Sequence, residues 1–243
     1  MKCILLAAGY ATRLYPLTKD KPKSLLPVGG KTILEHIINK VERIDTVEDI
    51  YIVTNDRFYH QFLDWMEQHR SLKKIKILND GTTNNDNRLG AIADIQYVIE
   101  RENIFDDILV MAGDNLFDFK LTDFWNFYRT VASDCITAHE LTDTNELKRT
   151  GVIEIDEEYR VISFEEKPQN PKSNLAVPPF YIYAKDTLKL VDKYLQEGNN
   201  PDAPGNFIPW LIQHGDVYVY KFEGKRYDIG TLESYEQAQK IFG

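Results

Sequence analysis

The sequence is poor in cysteine, lacks long apolar runs and has no excess of positive charge. Its two cysteines, Cys3 and Cys135, lie in separate apolar segments without the spacing of a disulfide framework or a metal site, so we expect buried thiols. The apolar run at residues 3–8 is too short for a signal-peptide core, and no stretch approaches the roughly 18 apolar residues of a membrane-spanning helix. These absences predict a cytoplasmic protein with no membrane partner.

Against a net charge of −9, the first 31 residues stand out as basic. They contain six Lys or Arg residues and one acid, whereas the other 212 residues contain 23 basic and 37 acidic groups. A positive segment on an otherwise acidic protein predicts one localised anionic ligand and no nucleic-acid partner, because a nucleic-acid track needs a more extensive basic surface.

Apolar strands and amphipathic helices alternate along the first half of the chain. The predicted strands span residues 2–7, 49–54, 74–78 and 107–112, and the predicted helices between them span residues 32–43, 58–69 and 88–100. Thr32 can cap the first helix with Glu35 as its capping-box partner. The alternation predicts a parallel sheet covered on both faces, whose ligands bind at the carboxyl ends of the strands. The loop after Ala8 and residues 113–115 fall at those ends.

The pattern is looser after residue 120 and predicts antiparallel strands. A hairpin is predicted to pair residues 151–155 with residues 160–164. Further strands are predicted at residues 133–139, 180–184 and 217–222, and helices at residues 121–132, 187–196, 206–213 and 232–241. No linker rich in Pro, Gly or Ser separates the two parts, so we predict a single domain over residues 1–243, with halves that meet near residue 120.

The loop that follows the first strand combines Gly9 with Arg13 and Lys23. It matches neither the GxxxxGK[ST] pattern of a P-loop nor the GxGxxG dinucleotide fingerprint. The arginine offers a two-pronged fork for phosphoryl oxygens and the lysine a mobile point charge. The residues alone therefore leave two interpretations open, a phosphate-binding loop and a solvated basic loop.

Two aspartates follow predicted strands. Asp114 comes directly after the apolar run 108–111, and Asp228 precedes Gly230 and Thr231. Each suits a magnesium ion, which needs only one or two protein carboxylates, but a turn or helix-cap role is the more common one for an aspartate at such a position. Together with the basic loop, the two acids fit metal-assisted phosphoryl or nucleotidyl transfer.

These motifs resemble those of the sugar-phosphate nucleotidyltransferases, and the glucose-1-phosphate thymidylyltransferase-like members most closely. The family pattern L-A-[AG]-G-x-[GA]-T-R-L-x-P-L-T, followed by K-P-K-x-L-[LV]-P-[VI], is matched by residues 6–18 and 21–28. Further matches are Gly113-Asp114-Asn115, Glu165-Glu166-Lys167-Pro168, Ser173-Asn174-Leu175-Ala176-Val177 and Asp228-Ile229-Gly230-Thr231. Their order and spacing extend the resemblance over nearly the whole chain.

The resemblance implies a Rossmann-like α/β fold, with a mostly parallel sheet flanked by helices (the nucleotide-diphospho-sugar transferase fold) and an antiparallel sugar-binding extension. It implies an enzyme whose substrates are a nucleoside triphosphate and a sugar 1-phosphate. An oxygen of the sugar phosphate attacks the α-phosphorus, which gives an NDP-sugar and pyrophosphate. The half before residue 120 would bind the nucleotide and the half after it the sugar phosphate.

The resemblance also assigns roles to individual residues. Arg13 and Lys23 would neutralise the triphosphate and act in catalysis, and Asp114 and Asp228 would hold Mg²⁺. The expected nucleotide contacts are Leu6, Ala7, Ala8, Gly9, Arg13, Lys23, Gly81, Asn84, Asn85 and Gly90. The expected sugar-phosphate contacts are Asn115, Gly151, Glu166, Lys167 and Val177.

Three segments depart from the family pattern. Ala11 stands where a second glycine is common, which restricts the backbone there. The base-reading segment, residues 79–92, carries an Asn/Thr cluster that can hydrogen-bond a pyrimidine, and a ring could pack closely at Gly90, so we expect dTTP or UTP. Residues 201–210 replace an acidic motif near the sugar, so the sequence specifies only a hexose 1-phosphate such as glucose 1-phosphate.

Two other functions remain compatible with the sequence. One is a CTP-dependent cytidylyltransferase that acts on phosphocholine or another small phosphorylated acceptor. The other is a catalytically silent subunit that senses sugar nucleotides, although the charged positions that silent relatives typically lose are all present. The sequence also leaves a homo-oligomer open.

Overall fold

The computed structural model describes residues 1–242, in which Cys3 and Cys135 are buried as expected. The strands are β1 (Lys2–Leu6), β2 (Pro27–Val28), β3 (Lys31–Thr32), β4 (Asp49–Thr54), β5 (Lys74–Asn79), β6 (Ile108–Ala112), β7 (Asn115–Phe117), β8 (Asp134–Glu140), β9 (Gly151–Ile155), β10 (Val161–Glu166), β11 (Leu175–Val177), β12 (Phe180–Tyr183), β13 (Val217–Lys221) and β14 (Arg226–Asp228). The α-helices are α1 (Ile33–Val41), α2 (Tyr59–Gln68), α3 (Ala91–Arg101), α4 (Leu121–Val131), α5 (Thr144–Leu147), α6 (Leu188–Gln196), α7 (Ile208–Leu211) and α8 (Leu232–Phe242).

The chain divides into two compact units, each assembled from separated stretches of sequence. The first comprises Met1–Leu89, Met111–Leu121 and the segment that starts at Lys225. The second comprises Gly90–Val110 and Thr122–Gly224. The basic loop near the N-terminus and the acid near the C-terminus therefore belong to the same unit, although they lie at opposite ends of the sequence.

The first unit is built on parallel strands. β4 pairs in parallel with both β1 and β5, so that Ile52 lies opposite Leu5 on one side and Ile77 on the other. Ile52 and Leu5 are fully buried, as expected of strands that carry apolar side chains toward both covered faces. The predicted capping box of α1 is confirmed, because the Thr32 hydroxyl accepts a hydrogen bond from the Glu35 backbone and the Glu35 carboxylate accepts one from the Thr32 backbone.

A short antiparallel pair, β7 with β14, completes the first unit near the carboxyl end of β1. The backbone nitrogen of Gly113 donates to the Leu6 carbonyl at 2.8 Å, which brings the end of β6 beside the end of β1. From there β7 begins, and its Asn115 lies opposite Asp228 of β14. This pairing places the segment after Gly113 next to the C-terminal aspartate.

The second unit is mainly antiparallel. β8 is buried along most of its length and pairs antiparallel with β11 and β12 and parallel with β13. The predicted hairpin is confirmed: β9 pairs with β10, and Asp156 turns the chain by accepting hydrogen bonds from the backbone nitrogens of Glu158 and Arg160. The hairpin extends further than predicted, to Glu166.

The α/β class with a mostly parallel sheet flanked by helices is confirmed. Helix α3 begins at Ala91, three residues later than predicted, because Gly90 before it has a φ of +95° that a helix cannot continue. Within residues 1–242, no helix is long and apolar enough to span a membrane.

Candidate active site

Gly9 lies in the loop that follows β1, directly after the buried residues Ala7 and Ala8. Gly9 is exposed, and a Cβ built on it would meet nothing within 4 Å. The loop around it is nevertheless anchored, because the side-chain amide of Asn55 donates to the Ala8 carbonyl at 2.8 Å and the Thr18 hydroxyl to the Ala11 carbonyl at 2.8 Å. An open backbone surface on an anchored loop is what close approach of a phosphate requires.

Ala11 adopts a left-handed backbone conformation, with φ +47° and ψ +42°. This conformation costs a non-glycine residue ~1 kcal/mol or more, since its Cβ crowds the following carbonyl. The Thr18 hydroxyl and the Leu14 backbone nitrogen both donate to the Ala11 carbonyl and hold it in place. The restriction that we expected at this alanine is therefore a strained backbone conformation, which a glycine would adopt freely.

Lys23 lies at the centre of the charged cluster of the first unit. It begins a single 3₁₀ turn after Pro22, and its side chain is only 9% exposed. Its Nζ lies 2.9 Å from Oδ2 of Asp114 and 3.6 Å from Oδ1 of Asp228. Because a buried ammonium is costly unless paired, the two carboxylates account for the position of Lys23.

Asp114 is held in its ionised form. Burial alone would raise the pKa of its carboxyl group, but the charge and the hydrogen bond of Lys23 outweigh this. A 2.8 Å hydrogen bond from the Asn115 side-chain amide and the charge of Arg226 act in the same direction, so the pKa of Asp114 lies below its ordinary value. Asp114 can therefore bind a cation at neutral pH without first losing a proton.

Arg13 and Arg226 extend the cluster around Asp228. Nη2 of Arg226 lies 3.3 Å from Oδ2 of Asp228. A Cβ built on Gly230 would lie 3.8 Å from Oδ1 of Asp228 and 3.9 Å from Nη2 of Arg13, so the Arg13 guanidinium also faces this corner. Three cationic side chains and two carboxylates thus form one cluster in the first unit.

The sequence interpretation missed Arg226, although a signal was present. Side chains two positions apart on a strand share a face, so an arginine at 226 necessarily lies beside Asp228 once residues 226–228 form a strand. The strand itself was not predicted, because three residues are too short for a period-two pattern.

The donor set of the cluster fits a hard divalent cation. Both aspartates lie within 4 Å of the Lys23 ammonium, so the two carboxylates converge on the same place. Oδ1 of Asn115 is buried and has no hydrogen-bond partner within residues 1–242, which leaves a third oxygen unsatisfied next to Asp114. No group of three or more His, Cys, Asp or Glu residues forms a metal cage in that part of the chain. Magnesium commonly uses only one or two carboxylates and completes its shell with water and phosphate oxygens.

The segment predicted to read the base is folded largely on itself. The Thr82 hydroxyl lies 3.3 Å from the Tyr10 hydroxyl, which ties the segment to the glycine loop. The side-chain oxygen of Asn84 caps a 3₁₀ turn by accepting hydrogen bonds from two backbone nitrogens, and Asn85 is exposed on that turn. Gly81 has a φ of +79° and open space beside its Cα, so a planar ring has room to approach there.

Gly90 lies in the second unit, where it packs against the backbone of Pro201 and Asp202. A Cβ on Gly90 would lie 2.6 Å from the Pro201 carbonyl oxygen and 2.9 Å from Cα of Asp202. The next two backbone nitrogens, of Ala91 and Ile92, donate to the carbonyls of Asp202 and Pro201. This close packing explains the glycine, and substituting it would disturb the fold of the second unit before it reported on a ligand.

Four of the residues expected to bind the sugar phosphate are brought together by three neighbouring strands of the second unit. Gly151 of β9 lies opposite Glu166 of β10 and opposite Val177 of β11. Lys167 follows directly, with its Nζ 3.4 Å from Oε1 of Glu166. The fifth, Asn115, belongs to the first unit and lies beside Asp114.

Gly205 is a further residue of this group that the sequence interpretation missed. A Cβ built on it would lie 2.7 Å from Oε2 of Glu166 and 2.8 Å from the Phe164 ring. A Cβ on Gly151 would meet the same ring at 2.5 Å. Two glycines therefore make room for Phe164 and set the position of the Glu166 carboxylate. No local pattern marks Gly205, since the contact joins residues far apart in the chain.

Comparison with known proteins gives a single family. The family model described as nucleotidyl transferase matches residues 2–242. The bifunctional protein GlmU of Methanocaldococcus jannaschii is 31% identical over 99% of this chain and 54% of its own length. A glucose-1-phosphate adenylyltransferase of Rhodopirellula baltica is 27% identical over 97% of this chain and 58% of its own length. The chain thus spans little more than half the length of these curated relatives.

A solved structure agrees over the full length. The crystal structure of a Bacillus anthracis protein assigned as a glucose-1-phosphate thymidylyltransferase, in complex with sucrose, superposes with a TM-score of 0.78 at 25% identity. The match covers 100% of this chain and 95% of that protein. The sequence resemblance and the fold therefore point to the same group of proteins.

Proposed function

Because this chain belongs to the nucleotidyl transferase family, we propose that it condenses a nucleoside triphosphate with a hexose 1-phosphate and releases pyrophosphate. The observation that carries the proposal is the cluster in which Lys23 joins Asp114 and Asp228, with Arg13 at the same corner. These are the four charged residues that the resemblance assigns to the triphosphate and to the metal. A cluster of cations and carboxylates beside an open glycine loop suits a magnesium–triphosphate complex.

In this proposal the protein contributes charge and alignment. The nucleophile is already a phosphate oxyanion, so no side chain has to remove a proton from it. Lys23 and Arg13 stabilise the negative charge that grows on the leaving pyrophosphate. When bound by Asp114 and Asp228, Mg²⁺ would supply further neutralisation of the phosphates.

Lys23 has two partners in this mechanism. In the free protein its ammonium compensates Asp114 and Asp228. With a divalent cation held by the same carboxylates, Lys23 would no longer have to compensate them and would be available to the triphosphate. Lys23 thereby stabilises the site in the free protein and would contribute to binding of the triphosphate.

We further propose a pyrimidine nucleotide, dTTP or UTP, and glucose 1-phosphate or a related hexose phosphate. The space beside Gly81 supports a base bound next to the glycine loop. The solved structure assigned as a thymidylyltransferase supports the nucleotide, whereas one of the curated relatives is named as an adenylyltransferase, so the base requires direct measurement.

The test is a substrate matrix read by pyrophosphate release. Five nucleotides (ATP, GTP, CTP, UTP and dTTP) are paired with hexose 1-phosphates and with phosphocholine, each with Mg²⁺ and with excess chelator. The proposal predicts turnover with a hexose 1-phosphate, a preference of at least ~10-fold for dTTP or UTP over ATP and GTP, and no turnover in chelator. Turnover confined to CTP and phosphocholine would establish the cytidylyltransferase instead.

A further inference from the structure

The second unit contains an open, basic cleft, and only one of its lining residues has a role in the proposed reaction. It has a volume of about 450 Å³ and is lined by Lys148, Lys167, Pro168, Gln169 and Asn170. Two of the five lining residues are cationic, two are neutral amides and none is acidic. Such a lining attracts an anion and offers it hydrogen-bond donors.

Backbone geometry places the two lysines at the same, open end of the β9–β10 hairpin, since Lys148 precedes β9 and Lys167 follows β10. Lys148 caps the end of α5, whose Leu147 is buried against Val152 and Ala176. The backbone nitrogen of Lys167 donates to the Thr150 carbonyl at 3.1 Å and so prolongs the β9–β10 ladder by one bond. The segments that carry the two lysines are thereby joined where they enter the cleft.

Lys167 is held in a conformation that a lysine does not favour. Its φ is +51°, in the left-handed region, and it precedes Pro168, which narrows its backbone choices further. A non-glycine residue in this region costs ~1 kcal/mol or more and persists where the surroundings enforce it. The turn directs residues 167–170 away from β10 and along the cleft instead of continuing the strand.

The charges of the two lysines are compensated to different degrees. Nζ of Lys167 lies 3.4 Å from Oε1 of Glu166, so part of its charge is already balanced. Lys148 is exposed and forms no ion pair within residues 1–242. A phosphate dianion in the cleft therefore needs a cation beyond Lys167, and Lys148 is the uncompensated one that lines it.

We propose that Lys148 is a second cation that binds the acceptor's phosphate group in this cleft, beside Lys167, to which the family resemblance already assigns a contact with the sugar phosphate. Gln169 and Asn170 provide amide donors to the same group. The inference rests on the proposed function, since it identifies the phosphate in question as that of the sugar 1-phosphate. Lys148 lies outside every family motif that the sequence matches. The inference also predicts that the acceptor is selected for its phosphate.

The test varies Lys148 and measures both binding and turnover. Lys148→Gln removes the charge, Lys148→Arg keeps it, and Lys189→Gln removes an equal charge from an exposed position of α6 outside the cleft. We expect Lys148→Gln to raise the KM for glucose 1-phosphate by about fivefold or more, with the KM for nucleotide within about twofold of wild type. Lys148→Arg should restore the value, and Lys189→Gln should not change it.

Calorimetric titration with glucose 1-phosphate alone, with glucose as the uncharged comparison, separates the inference from the reaction. Binding of glucose 1-phosphate that is weakened by about fivefold or more in Lys148→Gln supports the role of Lys148 even if no nucleotide is turned over, in which case only the proposed function fails. An unchanged KM and an unchanged affinity in an active, folded Lys148→Gln would overturn the role of Lys148. The same conclusion would follow if only the nucleotide KM rose.

Discussion

Asp134, a buried acid of β8, predicts an unusual dependence of stability on pH. Burial raises the pKa of its carboxyl group to about 6, and the negative charge of Asp107 adds to the shift, although hydrogen bonds from Ala184 and Thr187 oppose it. Its Oδ1 accepts from the Ala184 backbone at 2.8 Å, and its Oδ2 lies 2.7 Å from the Thr187 hydroxyl. The side chain thus joins β8 to the start of α6 within the second unit.

The sign of the effect follows from the direction of the pKa shift. A carboxyl group whose pKa is higher in the folded state binds more protons when folded, so the free energy of unfolding decreases as pH rises through the interval between the two pKa values. With an unfolded pKa near 4 and a folded pKa of about 6, ionised Asp134 costs up to ~3 kcal/mol above pH 6. Between pH 5 and pH 7 this cost grows by ~1 kcal/mol.

Asp134→Asn isolates that cost, because the amide can still accept the Ala184 hydrogen bond but does not ionise. We expect the stability of Asp134→Asn relative to wild type to improve by ~1 kcal/mol between pH 5 and pH 7, whatever the offset at one pH. Urea unfolding monitored by circular dichroism at several pH values measures the difference. Asp186→Asn, at an exposed position, controls for the loss of one carboxylate. A difference between Asp134→Asn and wild type that stays constant with pH would refute the reasoning.

Three further predictions concern the candidate site and use steady-state kinetics with each substrate varied. Arg13→Ala should mainly lower kcat, because its guanidinium stabilises charge that grows in the transition state; an effect on KM alone would contradict this. Lys167→Ala should raise the KM for the sugar phosphate with little change for the nucleotide, and the opposite pattern would reverse the assignment of the two halves. Arg226→Met should weaken nucleotide binding but tighten Mg²⁺ binding to the nucleotide-free protein in calorimetry, since it removes a cation that competes at Asp228; weaker Mg²⁺ binding would show that Arg226 only positions the aspartate.

Local patterns in the sequence were sufficient to predict the helices and strands of regular length and part of the candidate site. The apolar strand that ends before Gly9, the capping box of Thr32 and the β9–β10 hairpin each depend on residues close together in the chain, and the structure contains all three. The parallel strands could be predicted for the same reason, since covered strands are apolar throughout.

Features that depend on distant residues could not be predicted. The β7–β14 pair joins three-residue strands from remote parts of the chain, and it brings Arg226 to the cluster. Gly90 was predicted as a base contact, which stays a prediction, but its packing against the Pro201 backbone joins distant parts of the chain and has no local signal. In each case the residue type was compatible with several partners, and only the tertiary structure selects one.

The central claim is that Asp114 and Asp228 hold the cation used in nucleotidyl transfer. It is tested most directly by pyrophosphate release from a hexose 1-phosphate and the preferred nucleotide at saturating Mg²⁺. We compare wild type with Asp114→Asn, Asp228→Asn and the control Asp123→Asn, an exposed acid on α4. We predict that each site variant folds like wild type by circular dichroism and loses ~10²-fold in kcat, about 3 kcal/mol of transition-state stabilisation, while the control retains full activity. Near-normal kcat in a folded Asp114→Asn or Asp228→Asn would show that the carboxylate only balances Lys23 and that the proposed metal site is wrong.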